Sequence, residues 1–173
     1  KKLFKLDAIM ILFPAIDLKD GKCVRLTQGD FNQSTVYNSS PINQAKIFQD
    51  LGVEWLHCVD LDGALYGASE NLKFVEQIAN ETSLNIQIGG GIRTKEKVRL
   101  LIDLGVSNLI LGTSVFEDRE FFEEMVGLYP DSISIALDIK NNQIATKGWS
   151  EVQSLNLASF LKSLNNMKIN SII

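Results

Sequence analysis

The sequence is poor in the residues that most often announce a chemistry. It holds 2 cysteines, 1 histidine and 3 prolines in 173 residues. Cys23 and Cys58 lack ligand spacing, and with His57 as the only histidine they form no ligand set, so no metal site is expected. Nor do they make a disulfide framework; reduced thiols and a cytoplasmic location are the expectation. Basic residues are not in excess: 17 Lys and Arg against 21 Asp and Glu leave a net charge of −4. A nucleic-acid partner, which wants a basic face, is therefore not expected. No apolar run reaches the length of a bilayer span, so no membrane partner is expected either. Residues 3–13 are apolar behind two lysines, as a signal peptide would be. Lys5 and Asp7 interrupt them, however, and residues 11–17 make better sense as a core strand. Residues 1–9 are expected to be a short native extension or an expression remnant, and residues 10–173 one domain with a sizeable core.

What is present is organised around residues 10–21, MILFPAIDLKDG. An apolar run ends in one carboxylate, Asp17, and breaks at once into Lys19, Asp20 and Gly21. It reads as a buried strand that delivers a charge at its C-terminal end, followed by a turn. The design recurs: residues 15–21 (AIDLKDG) line up without a gap with residues 136–142 (ALDIKNN). Two copies of strand, aspartate and turn suggest that Asp17 and Asp138 face one site.

Between and after them strands alternate with helices. Residues 23–26 read as a short strand and residues 27–39, polar and rich in Asn and Ser, as a loop. Ser40 and Pro41 supply an N-cap and a first helical residue; Ile42, Ala45, Phe48 and Leu51 keep helical spacing and Gly52 ends it. Strands are expected at 53–59, 85–88, 108–111 and 132–137. Helices are expected at about 70–81, from Thr94 to Gly105, and from Asp118 to about Tyr129. Residues 141–149 read as a polar excursion, in the form of a small hairpin. A fifth helix spans about 155–165, capped by Ser150 or Ser154, and residues 170–173 open a sixth strand. This order implies right-handed crossovers and a parallel sheet, either open and doubly wound or closed as an eight-stranded barrel. The repeat favours the α/β fold of a (β/α)8 TIM barrel, because strands one and five face each other across such a ring. A full barrel takes about 250 residues, so this chain covers about the first five and a half βα units.

The chemistry concentrates in the turns. Gly89, Gly90 and Gly91 lie between a strand and a helix, where exposed N–H groups form a nest for phosphate; a tight turn without a ligand is the plainer alternative. Gly112, Thr113 and Ser114 make a second such turn on the adjacent strand, and together they look like one phosphate site. Arg93 follows the glycines and is placed to reach an anion there. Arg25 lies just past the first strand's loop. Lys147 and Trp149 offer a cation and a flat ring to a planar substrate, though a solvated surface role would serve for each of these side chains. His57 and Val59 share one strand face and Cys58 and Asp60 the other; a lone strand histidine is commonly a hydrogen-bonded core residue. Asp60 and Asp62 either bind substrate hydroxyls or cap turns. A desolvated aspartate suits acid–base work, and one acid with one base is the natural division of Asp17 and Asp138, in an order the residues alone leave open.

Five separated stretches, FPAIDLKDGKCVRLTQGD, EWLHCVDLDGA, IQIGGGIRT, LILGTS and ALDIKNNQIATKGW, together resemble the phosphoribosylformimino-5-aminoimidazole carboxamide ribotide isomerases of histidine biosynthesis. The resemblance runs from about Ile11 to the end. It implies a (β/α)8 barrel built from two related halves and a cofactor-free Amadori rearrangement of an aminoaldose to an aminoketose. It implies a small phosphoribosyl substrate with two phosphates, and a monomer. It further implies Asp17 as the general base and Asp138 as the proton donor. Gly90, Gly91 and Thr113 would hold one phosphate, and Arg25, Arg93 and Trp149 would contact the substrate, with Lys147 and His57 as further candidates. The family's second phosphate site lies after strands seven and eight, outside this sequence. A chain truly ending at Ile173 is expected to be inactive, with open sheet edges. Three alternatives stand beside this one. One is the paralogous imidazole glycerol phosphate synthase cyclase subunit, which usually has Cys where Ala15 stands and lacks residues 60–64, DLDGA. The second is a bifunctional isomerase that also accepts phosphoribosylanthranilate. The third is a non-catalytic, phosphate-binding half-barrel.

Overall fold

The computed structural model describes residues 10–67, 69–140, 143–146 and 151–173; the expected extension at 1–9 lies outside them. The described chain opens with β1 (Ala15–Lys19), β2 (Lys22–Thr27) and β3 (Asp30–Asn38), then α1 (Pro41–Asp50) and β4 (Trp55–Asp60). Next come α2 (Leu61–Tyr66), α3 (Leu72–Glu81), β5 (Asn85–Gly89), α4 (Lys95–Asp103) and β6 (Asn108–Leu111). They are followed by α5 (Ser114–Glu117), α6 (Arg119–Leu128), β7 (Ile133–Ile135), β8 (Asp138–Lys140), β9 (Gln143–Thr146), β10 (Glu151–Asn156) and α7 (Leu157–Ser163).

Seven strands form one sheet in the order β3-β2-β1-β4-β5-β6-β7. β1, β4, β5, β6 and β7 run parallel, and β2 and β3 join the β1 edge antiparallel. A further parallel strand begins beside β7: the Asn170 N–H donates to the Ile133 carbonyl at 2.7 Å and the Ile173 N–H to the Ile135 carbonyl at 2.9 Å. This is the strand-helix order of a (β/α)8 barrel, carried through five units and into a sixth strand.

Helix starts follow local chemistry. The Ser40 side chain accepts from the Asn43 N–H at 3.3 Å with Pro41 behind it. Thr94 does the same for the Lys97 N–H at 3.2 Å, and Asp118 for the Phe121 N–H at 2.9 Å. Alternation then sorts the strands. Ile16, Leu18, Leu56, Cys58, Ile86 and Leu109 are fully buried against Val75, Ile78, Val98 and Phe122 of the helices. Asp17, His57, Val59, Gln87 and Asn108 take the other face. Cys23 and Cys58 flank β1, opposite Leu18 and Ile16 respectively, and both are free thiols in the core.

Four sequence-based expectations differ from the structure. Residues 30–38 are a strand, not loop; β3 is exposed along most of its length, so it carries no buried alternation to read. The short helices α2, directly after β4, and α5, two residues after β6, stand where only turns were expected, and are too brief for an apolar period. The expected hairpin is larger, with β8, β9 and β10 forming a separate antiparallel sheet. Ser154 falls inside β10, three positions before α7 begins at Leu157, and so is not at its N-cap position, while Ser150 lies outside the described residues.

One side chain ties the first unit to the second. Asn71, 1% exposed, accepts from the Gly21 N–H at 2.9 Å. Its amide nitrogen donates to the Leu18 carbonyl at 3.2 Å and to carboxylate oxygens of Asp60 and Asp62, each at 2.9 Å. Asp62 in turn accepts from the Asp20 N–H at 2.8 Å. The Asp20-Gly21 turn has positive φ at both residues, 49° and 72°, as a two-residue hairpin requires. Replacing Asn71 by Leu strands these groups and is expected to lower stability by about 2–3 kcal/mol. Urea unfolding checks it, and a loss below about 0.5 kcal/mol would remove Asn71 from this role.

Candidate functional site

The inner face of the sheet opens, at the C-terminal ends of the parallel strands, into a cavity of about 580 Å³. Its floor is set by register. Asp17 pairs with Val59, Val59 with Gly89 and Gly89 with Ile110, so these positions form one row across the strands. His57 lies one row below, between Ala15 and Gln87. The walls come from α2 and from the turns after β5 and β6, with Gly90, Gly91, Arg93, Thr113 and Ser114 among the lining residues.

The two turns are built by different means. Gly90 and Gly91 have φ of 111° and 68°. A Cβ on Gly90 would collide with the Asp60 carbonyl, and one on Gly91 with the Gly63 carbonyl. The glycines are therefore demanded by the close approach of the β5 turn to the start of α2, whether or not a ligand binds. The second turn is fastened to the first through Ser114, whose hydroxyl donates to the Ile92 carbonyl at 2.9 Å. Arg93 is exposed on the rim and donates to the Ala64 carbonyl of α2 at 3.2 Å, which leans it over the cavity mouth.

Asp17 is half-buried. Burial pushes its carboxyl above the ordinary Asp value, and electrostatic attraction to Arg25, and after it to His57, acts the other way. Arg25 itself is exposed on β2 and pairs with Thr35 of β3, outside the cavity lining. Asp138 heads β8, exposed, two residues beyond Ala136, which lines the cavity. The structure thus brings His57, Gly90, Gly91, Arg93 and Thr113 together around one space with Asp17 on the adjoining strand. It puts Asp138 on the second sheet, and Lys147 and Trp149 lie outside the described residues.

Asp60 and Asp62 are structural. Asp60 is 1% exposed on the helix-facing side, where Oδ1 accepts from the Gly63 N–H at 3.0 Å and so caps α2. Among the described residues its Oδ2 has no hydrogen-bond partner; it stands 3.7 Å from the Lys97 ammonium. Burial drives the Lys97 pKa down, and the Asp60 charge opposes that shift. Among the described residues no group of three or more His, Cys, Asp or Glu is placed to hold a metal ion.

The sequence reading singled out neither Asn71 nor an inner row of polar side chains. The His57 ring bonds Gln87 at 2.8 Å, Gln87 donates to Asn108 at 2.9 Å, and the Ser134 hydroxyl donates to Asn108 at 2.8 Å. The row's trace in the sequence is one polar residue among apolar neighbours in each strand, internal in β4, β5 and β7 and first in β6.

The family model described as "Histidine biosynthesis protein" matches residues 11–173. Proteins of Oceanobacillus iheyensis and Bacillus cereus, each named 1-(5-phosphoribosyl)-5-((5-phosphoribosylamino)methylideneamino) imidazole-4-carboxamide isomerase, are 44% identical to the chain over 164 residues. The match covers 95% of this chain and 68% and 69% of theirs. A Bacillus cytotoxicus protein of the same name is 43% identical over the same length. With a family model matched over residues 11–173 and relatives this similar, the chain belongs to the histidine biosynthesis protein family.

Proposed function

We propose that the protein is an isomerase of histidine biosynthesis, acting on the phosphoribosyl substrate its relatives are named for. The observation that carries this reading is 44% identity over 95% of the chain to proteins bearing that name. The reaction is an Amadori rearrangement: the ring opens as its oxygen gains a proton and C1 becomes an iminium, C2 loses a proton to give an enaminol, and C1 takes up a proton as the C2 hydroxyl loses one, so the aminoaldose becomes an aminoketose. Ring opening wants an acid at the ring oxygen, and loss of the C2 proton wants a base. In this proposal Asp17 is the base and Asp138 the acid. Support for Asp17 comes from its half-buried place beside the cavity floor, where desolvation raises its basicity.

Gly90 and Gly91 would offer backbone N–H groups to one phosphate, with Thr113 beside them on the second turn. Arg25, Arg93, His57, Lys147 and Trp149 complete the proposed substrate contacts. Anchoring a substrate by its phosphates turns binding energy into orientation of the reacting carbon. The proposal takes the protein as a cytoplasmic monomer that works without a cofactor, a nucleic acid or a membrane. No helix among the described residues is long and apolar enough to cross a bilayer.

Asp17→Asn and Asp138→Asn are each expected to nearly abolish isomerisation while keeping substrate affinity within about tenfold. Turnover assays with substrate titration decide, and near-normal turnover in either variant would end the assignment of that residue.

The raised pKa of Asp17 carries two further expectations. A base must be ionised, so kcat/KM should fall, as pH is lowered, at a pH above the ordinary Asp value of 3.8. Removing the cation in Arg25→Met should move that fall to still higher pH; a profile that stays put or moves down would separate Arg25 from Asp17. For stability the sign is that of an acid whose protonated form is favoured by folding. The contribution of Asp17 is fully present below its unfolded pKa and is lost as pH rises through the raised one. At neutral pH the inactive Asp17→Asn variant should therefore melt higher than the parent, and a lower melting temperature would contradict a desolvated carboxylate.

A further inference from the structure

The row of polar side chains under the cavity has a direction that follows from donors and acceptors alone. It is anchored at a backbone carbonyl, which can only accept. The Asn108 amide nitrogen donates to the Ser132 carbonyl at 3.1 Å. Asn108 must then turn its Oδ1 toward Gln87 and Ser134, so both of those donate, at 2.9 Å and 2.8 Å. Ser134 has used its one hydrogen, so Ser171, 2.8 Å away, donates to it. Gln87 has turned its nitrogen to Asn108, so the atom it shows to His57 is an oxygen, 2.8 Å from Nδ1. An amide oxygen cannot donate. His57 Nδ1 must therefore carry the hydrogen.

This constraint is unusual for a histidine. Free neutral imidazole side chains prefer the hydrogen on Nε2, and which nitrogen bears it in a protein is set by the partner of the other. Here the setting is rigid. Gln87 is 7% exposed, Asn108 1% and Ser134 0%, so no water competes for their bonds. In the neutral ring Nε2 is left with a lone pair, and His57 lines the cavity one row below Asp17 and Val59. In the protonated ring Nδ1 still holds its hydrogen, so only Nε2 gains or loses one.

We infer that Gln87, Asn108, Ser134 and Ser171 are positioning residues that lock His57 in its Nδ1–H tautomer, so that neutral His57 offers Nε2 as a hydrogen-bond acceptor to a hydroxyl of the cavity-bound molecule. The acceptor role rests on the proposed function, because a phosphoribosyl unit supplies the hydroxyls; the tautomer does not rest on it. An acceptor here selects for a sugar hydroxyl and against a group that can only accept. It adds a neutral contact beside the carboxylate that works as the base.

Because His57 is the only histidine in the sequence, its ring nitrogens can be read without assignment. A long-range proton–nitrogen-15 correlation spectrum at a pH where the ring is neutral should show Nδ1 as the protonated nitrogen and Nε2 as the bare one. In Gln87→Met, which keeps the length and removes the acceptor, the population should shift toward Nε2–H. A parent protein with the hydrogen on Nε2 overturns the inference, as does a folded Gln87→Met with an unchanged tautomer. Should that variant not fold, the parent spectrum still decides. Substrate added to Asp17→Asn should then shift Nε2 toward lower frequency, as hydrogen bonding to a bare ring nitrogen does. If substrate perturbs other resonances and leaves Nε2 unmoved, the acceptor role is overturned. If it perturbs nothing, the proposed function fails, while the tautomer result stands on its own.

Discussion

The fold turns on a single buried carboxamide. Asn71 bonds the β1 backbone, the β1–β2 turn and the two aspartates at the start of α2. Those aspartates lie where β4 becomes α2, and the same junction presses its carbonyls against Gly90 and Gly91. One side chain therefore sets the relation between the strand bearing Asp17 and the turn that shapes the cavity wall. A group buried this deeply is stabilising only while every bond is made, because each unmade one leaves a desolvated polar atom. The arrangement is correspondingly intolerant of small shifts, and that intolerance keeps the mouth of the cavity in register with its floor.

The sheet separates two kinds of energetics. Its helix-facing side is aliphatic, with Ile16, Leu18, Leu56, Ile86 and Leu109 fully buried. Its cavity-facing side is polar at depth and small at the rim: His57, Gln87, Asn108 and Ser134 below, with glycines at 89, 90 and 112 above. Cohesion belongs to the first face and geometry to the second. Asp17 stands where the polar face meets the apolar strand end, which is why its carboxyl is desolvated yet within the field of Arg25.

Much of this was legible from residues alone, for reasons that can be named. The alternation of β4 correctly put His57 and Val59 on one face and Cys58 and Asp60 on the other, whereas the pairing of β1 with β4 was needed to add Asp17 to the first face. Ser40, Thr94 and Asp118 announced their helices because an N-cap is a local signal, complete within four residues. The Asp60 and Asp62 alternatives were resolved only by the structure, since turn capping and substrate binding ask for the same side chain. β3 left no pattern because little of it is buried. Asn71 left none, and the Gln87 row left only isolated polar residues whose partners could not be read, because their bonds join residues between 9 and 53 positions apart, a distance over which a lone Asn or Gln carries no directional information.

The two cysteines have no part in the proposed chemistry, yet their placement gives the molecule a built-in reporter. Cys23 and Cys58 stand on either side of β1, and burial pushes their thiols up to about 11 and about 12. At neutral pH neither is a nucleophile while the strand is in place, since only a thiolate reacts. Modification by a thiol reagent then has to wait for the sheet to open next to Asp17. The rate of labelling becomes a clock for local unfolding around β1, the strand that carries Asp17.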